Sequence, residues 1–204
     1  MQGKLPLTFP KVANEQKMTT EQYPGAPVGS FSHQSNYSEG QINGYRWYDK
    51  HPSVKPAFPF GHGLSYGNMT FSDLKVTDRT VSFTMAGTGC DTPQLYLSYP
   101  TAETDPTVPA KVLRYFKKVC AGTTGAQETT AMSFTLTDRD VRKRPACNFP
   151  LLLFSLTGGL LRWGLQVSNW NVDESKWAVT SGKFGVSVGS SSQDIKLTGS
   201  LTVA

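Results

Sequence analysis

The chain is expected to fold as an all-β, antiparallel sandwich of immunoglobulin-like topology, preceded by an extended, Pro-rich connector. Three features lead there. From Met69 onward, short segments place apolar side chains at every second position, the mark of strands with one face buried. Thirteen Pro, nineteen Gly and abundant Ser and Thr supply the turns that separate such strands, and they oppose long helices. From Thr8 to Ser65, by contrast, no helical period is sustained. With 204 residues, 38% of them hydrophobic, the chain can bury a core in one or two domains.

Taken in order, residues 1–68 form the connector. Pro10, Pro24, Pro27, Pro52, Pro56 and Pro59 each remove a backbone donor and fix φ, which favours wrapping segments and turns. Tyr45, Trp47 and Tyr48 are the aromatics of an extended segment. They can stack on sugar rings, but packing between domains is the expected role. The sandwich spans 69–204. Its strands are expected at Leu74-Lys-Val-Thr77, Val81-Ser-Phe-Thr-Met85, Gln94-Leu-Tyr-Leu-Ser-Tyr99, Ala131-Met-Ser-Phe-Thr-Leu136 and Phe184-Gly-Val-Ser-Val188. Val112-Leu-Arg-Tyr-Phe116 and Ile195-Lys-Leu-Thr-Gly-Ser-Leu201 complete the two sheets. Phe134, Leu136, Phe184, Val186 and Val188 alternate along their strands and should point inward.

Several longer strings are irregular enough to be informative. They are Gly3-Lys-Leu-Pro-Leu-Thr-Phe-Pro10, Glu21-Gln-Tyr-Pro-Gly25, Tyr37-Ser-Glu-Gly-Gln-Ile-Asn-Gly-Tyr-Arg-Trp-Tyr-Asp49 and Pro56-Ala-Phe-Pro-Phe-Gly-His-Gly-Leu-Ser-Tyr66. With Gln94 to Pro100, Lys111 to Val119, Ser133 to Asp140 and Gly182 to Gly189, they resemble the C-terminal end of glycoside hydrolase family 3, especially its β-glucosidases. The resemblance implies a barrel domain carrying an Asp nucleophile, an α/β sandwich domain carrying a Glu acid/base, and a terminal fibronectin type III-like domain. Residues 1–68 would then close the α/β sandwich domain and 69–204 would be the terminal domain, so the chain starts after both catalytic residues. Retaining hydrolysis needs two carboxyl groups about 5 to 5.5 Å apart, and neither role transfers to a residue here. Glu39 lies in a motif that follows the acid/base loop and is expected to be structural. Leu5 to Phe9 would be a strand without its sheet, and is expected to be poorly ordered alone. The implied partners are the catalytic domains of the parent enzyme.

One block departs from the resemblance. Joining Asp140 to Val167-Ser-Asn-Trp170 restores the family spacing, which marks Val141 to Gln166 as an insertion. An in-frame intron is one explanation, since Val-Arg permits the codons GTA-CGN and the closing Gln permits CAG; a genuine loop insertion is the other. The formal charge is +5, and Arg142, Lys143, Arg144 and Arg162, opposed by no acid in the block, account for all but one unit of it. The sandwich itself is thus nearly neutral. So short a basic cluster without interleaved aromatics argues against a nucleic-acid partner. The apolar run from Phe149 to Leu165 is short and holds Pro150, Gly158, Gly159 and Arg162, which argues against a membrane span.

The remaining polar candidates are sparse. His33, His51 and His62 are too scattered for metal-ligand spacing, and no cofactor is implied. Cys90, Cys120 and Cys147 allow at most one intramolecular pair; Cys90 and Cys120 flank different strands and can pair if the protein is secreted, whereas Cys147 belongs to the insertion. Asn36-Tyr-Ser38 and Asn68-Met-Thr70 match the N-glycosylation acceptor. No opening stretch has a signal pattern, so a secreted parent enzyme would carry its signal upstream. The function expected is therefore a non-catalytic, accessory part of a β-glucosidase-like enzyme that removes terminal β-linked glucose. The alternative is a free-standing module that binds cell-wall polysaccharide or a protein partner.

Overall fold

The computed structural model describes residues 3–121, 128–137, 169–171, 176–178 and 181–203. The expected insertion at 141–166, with Cys147, lies outside the described residues. In chain order, a hairpin of β1 (Ala26–Val28) and β2 (Ser32–Gln34) precedes a short helix, α1 (Tyr45–Lys50). Then follow β3 (Met69–Thr77), β4 (Thr80–Gly87), β5 (Gly89–Asp91), β6 (Gln94–Ser98), β7 (Val112–Phe116), β8 (Val119–Ala121) and β9 (Glu128–Thr135). A second small hairpin joins β10 (Asn169–Asn171) to β11 (Lys176–Ala178), and β12 (Gly182–Gly189) and β13 (Ile195–Val203) end the fold.

Two antiparallel sheets build the sandwich. One has the order β3-β4-β9 and the other β13-β12-β6-β7, while β5 and β8 pair as a two-stranded ribbon. The alternation that marks the strands in the sequence is the alternation that fills the core. Val81, Phe83 and Met85 of β4 and Met132 and Phe134 of β9 face Leu95 and Leu97 of β6 and Phe184, Val186 and Val188 of β12; none is more than 7% exposed. The Tyr115 and Phe134 rings stack across the sheets with centroids 5.7 Å apart. Between β3 and β4 the chain reverses through Asp78 at φ 50°, a left-handed conformation that Asp tolerates better than most side chains. The fold is an all-β sandwich, and Phe134, Leu136, Phe184, Val186 and Val188 are buried as expected.

The connector differs from expectation in two places. Tyr45–Lys50 is helical rather than extended. Gly44, at φ 53°, turns the chain into the helix, and Tyr45 and Tyr48 then lie one turn apart on the same face, with Tyr48 buried. A helix this short has little stability of its own; packing of those two rings holds it. The second correction concerns the opening segment, which finds its partners inside this chain. The Leu5 N–H donates to the His62 carbonyl at 2.8 Å and the Gly61 N–H to the Leu5 carbonyl at 2.8 Å. Phe9 and Phe58 form an antiparallel bridge, with the Phe9 N–H donating to Phe58 at 2.9 Å. Its backbone is paired, yet Leu7 and Phe9 remain 48% and 41% exposed.

Candidate functional site

Three of the sequence motifs converge on the outer face of β6. Gln94 and Tyr96 alternate with the core residues Leu95 and Leu97 and would face solvent in a bare sheet. Both are buried, because the connector covers them. The Tyr45 ring lies 5.1 Å from Phe60 and 5.9 Å from Tyr96, and its hydroxyl accepts the Leu113 N–H at 3.0 Å. Tyr96 donates its hydroxyl to Gln94 Oε1. Gly61 is pressed against the Gln94 amide: a Cβ there would sit 2.2 Å from Nε2, and its φ of +80° already disfavours a side chain. The Phe60-Gly-His-Gly string is therefore a close-approach element, and the Ser192 N–H fastens it to the β12–β13 turn through the Phe60 carbonyl at 2.9 Å.

Charged groups close the junction on either side. Lys4 Nζ lies 2.8 Å from Asp91 Oδ1 and donates to the Ser190 carbonyl at 2.9 Å. Asp91 also accepts from Ser190 Oγ at 2.6 Å and from the Thr92 N–H at 2.7 Å. Burial alone would push this carboxyl up, but the hydrogen bonds from Lys4, Ser190 and Thr92 outweigh it and hold its pKa below the ordinary value. On the other side, Lys111 Nζ pairs with Asp49 Oδ1, and Lys50 Nζ donates to the Ala102 carbonyl at 2.8 Å. Asp49 is held above the ordinary carboxylate range because burial outweighs the attraction of Lys111 and Lys55. Sequence reasoning missed these pairs, which join residues too far apart for any periodicity to connect. The one legible signal was the i, i+3 spacing of Tyr45 and Tyr48.

The expected site residues distribute as follows. Glu39 is half-buried and accepts from Gln22 Nε2 at 2.9 Å, while Glu15 accepts from the Tyr48 hydroxyl at 2.5 Å. The Trp47 ring stacks at 4.0 Å on His51, the residue that caps the C-terminus of the same helix. His62 tilts against Phe58, and His33 lies in the exposed β2. No group of His, Cys, Asp and Glu suited to a metal ion occurs among the described residues. Asn36 and Asn68 are both exposed. Cys90 and Cys120 are direct cross-strand partners in the β5–β8 ribbon, with Cα atoms 3.9 Å apart, and are joined by a disulfide.

On the far end of the four-stranded sheet lies an open groove of about 800 Å³, lined by Ser98, Lys183, Gly185, Thr198 and Ser200 together with Tyr99 and Phe184. Tyr99 and Phe184 are 7% and 0% exposed, so neither ring presents a face on which a sugar could stack. Chemically, then, the junction fastens segments together. Asp49 and Asp91 are committed to lysines, and Glu15 and Glu39 to a phenol and an amide. No helix among the described residues is long and apolar enough to cross a membrane.

No family model matches the chain. It is 30% identical to a probable β-glucosidase D of Aspergillus niger over 85% of its own length and 22% of that protein's. A probable β-glucosidase M of Neosartorya fischeri is 29% identical over 98% of the chain and 25% of the relative. Among solved structures, the β-D-glucoside glucohydrolase of Trichoderma reesei superposes with a TM-score of 0.68 at 28% identity, covering 99% of this chain and 26% of that one. The chain thus spans about a quarter of the length of the relatives it matches.

Proposed function

The chain belongs to glycoside hydrolase family 3, in a portion about a quarter as long as its β-glucosidase relatives, and from that premise we propose that it is the non-catalytic, C-terminal accessory part of a β-glucosidase-like enzyme. In this reading the parent enzyme removes terminal β-linked glucose by double displacement, and this part buttresses the domains that carry the nucleophile and the acid/base. The strand order, three against four, supports a fibronectin type III-like identity for the sandwich.

The observation that carries the reading is where apolar surface is left uncovered. Of the twelve exposed large hydrophobic residues among those described, eleven, from Leu7 to Tyr66, lie in the connector and one, Phe116, in the sandwich. So many exposed apolar side chains in one segment fit a protein interface, and the catalytic domains of the parent are the partner they suit. The commitment of Asp49, Asp91, Glu15 and Glu39 to structural contacts supports the absence of chemistry. In the same proposal the parent is secreted, Asn36 and Asn68 accept glycans, and Cys90 and Cys120 are paired. The purified chain should release no product from an aryl β-glucoside above the buffer rate; turnover that persists through purification and is lost in Glu39→Gln would overturn the proposal.

A further inference from the structure

Three separate segments meet at β5, a strand of three residues whose ladder partner is the equally short β8. The Asp91 carboxylate holds Lys4 of the opening segment and Ser190 of the β12–β13 turn. One residue earlier, the Cys90 carbonyl accepts from Ser65 Oγ at 3.1 Å, and Ser65 Oγ in turn accepts the Gly67 N–H at 3.2 Å. A two-stranded ribbon of this length has little stability of its own, so the position of Asp91 depends on what ties β5 to β8. That tie is the bond between Cys90 and Cys120. Its sulfurs lie on the solvent side of the ribbon, for Cys120 is exposed and Cys90 half-exposed although Val119 and Ala121 on either side of Cys120 are buried in the core. The ladders of β4 with β9 and of β6 with β12 include neither cysteine.

We propose that the Cys90–Cys120 disulfide is a redox-sensitive latch that holds the opening segment, Gly3 to Phe9, on the sandwich, and that a dithiol reductant releases this segment while leaving the core folded. A thiolate of the dithiol attacks the exposed Cys120 sulfur, and the Cys90 thiolate leaves and takes up a proton. The second thiol of the reagent then displaces Cys120 from the mixed disulfide. The protein gains two thiols and the dithiol closes to its cyclic disulfide, so atoms and electrons balance. Once β5 is no longer stapled, Asp91 loses its fixed distance to Ser190, and Lys4 its anchor.

The test is amide exchange by mass spectrometry on the full chain carrying Cys147→Ser, which removes the third thiol. Oxidised protein is compared with protein held in dithiothreitol and with the doubly substituted Cys90→Ser, Cys120→Ser variant. Reduction should raise exchange in peptides covering residues 3–9 by roughly tenfold or more, with peptides covering Phe184 to Val188 unchanged. The double variant should match the reduced protein. Unchanged exchange at 3–9 on reduction overturns the proposal, as does equal loss of protection at 184–188, which would make the bond a global staple. Free thiols at Cys90 and Cys120 in air-oxidised protein would also overturn it.

Discussion

Asp91 shows how one side chain can carry a junction. Its pKa is lowered, so the proton-free form is what the folded state prefers, and its contribution to stability is complete above the ordinary value of 3.8. That contribution disappears as pH falls from there through the depressed folded value. The stability difference between the native chain and Asp91→Asn, followed by chemical denaturation, should accordingly be flat near neutrality and shrink below about pH 4; a difference independent of pH would mean the carboxylate charge is not what binds Lys4. Asp49 works in the opposite sense. Its pKa is raised by burial, and Lys111 is what makes the charged form tolerable. Lys111→Met should therefore cost about 3 to 5 kcal/mol, the usual result of stranding one member of a buried pair. The loss should grow as pH rises through the raised pKa of Asp49, because the unpaired charge appears only then.

At the level of elements, what could be read from the sequence was whatever one-sided burial writes into it. β4, β9 and β12 alternate because one face of each meets the core, and period two exposes that directly. β6 is buried along both faces, yet Leu95 and Leu97 still fall at every second position and keep its strand character legible; what the sequence did not disclose is that its outer face is covered by Tyr45 and Gly61. Helix α1 was missed because six residues are too few to establish a period of 3.6, and β5 and β8 because three residues show no alternation. The junction was illegible for a different reason: Lys4 meets Asp91, and Lys111 meets Asp49, only after the chain has wrapped. The block at 141–166 falls between β9 and β10 in the sequence, and the strands of both sheets among the described residues lie outside it. Deleting it should leave the fold intact and the melting temperature equal or higher, since a longer loop adds only a slowly growing closure entropy. A loss of more than about 2 kcal/mol would show the block to be integrated.

At the scale of the whole molecule, connector and sandwich behave as one body with two unlike surfaces. One is sealed: Tyr45, Phe60 and Gly61 cover β6, flanked by the Lys4–Asp91 and Lys111–Asp49 pairs. The other is the outside of the connector, which exposes eleven large apolar side chains from Leu7 to Tyr66, and in the proposed enzyme it receives the catalytic domains. An accessory part built this way would hold its shape before its partner arrives, which limits the ordering cost of docking. The β1–β2 hairpin offers an internal reference, since all its residues are exposed and its pairing has no neighbouring strand to protect it. The most direct measurement is native-state amide exchange of the isolated, oxidised chain. The N–H groups of Ser192 and Leu113, bonded across the junction to the Phe60 carbonyl and the Tyr45 hydroxyl, and those of Leu5, Phe9 and Gly61, bonded within the connector, should exchange far more slowly than those of the hairpin and approach the protection of Phe184 in the core. Exchange at Ser192, Leu113, Leu5, Phe9 and Gly61 as fast as in the hairpin would contradict the account, because the connector would then be a loose tail rather than half of a preassembled unit.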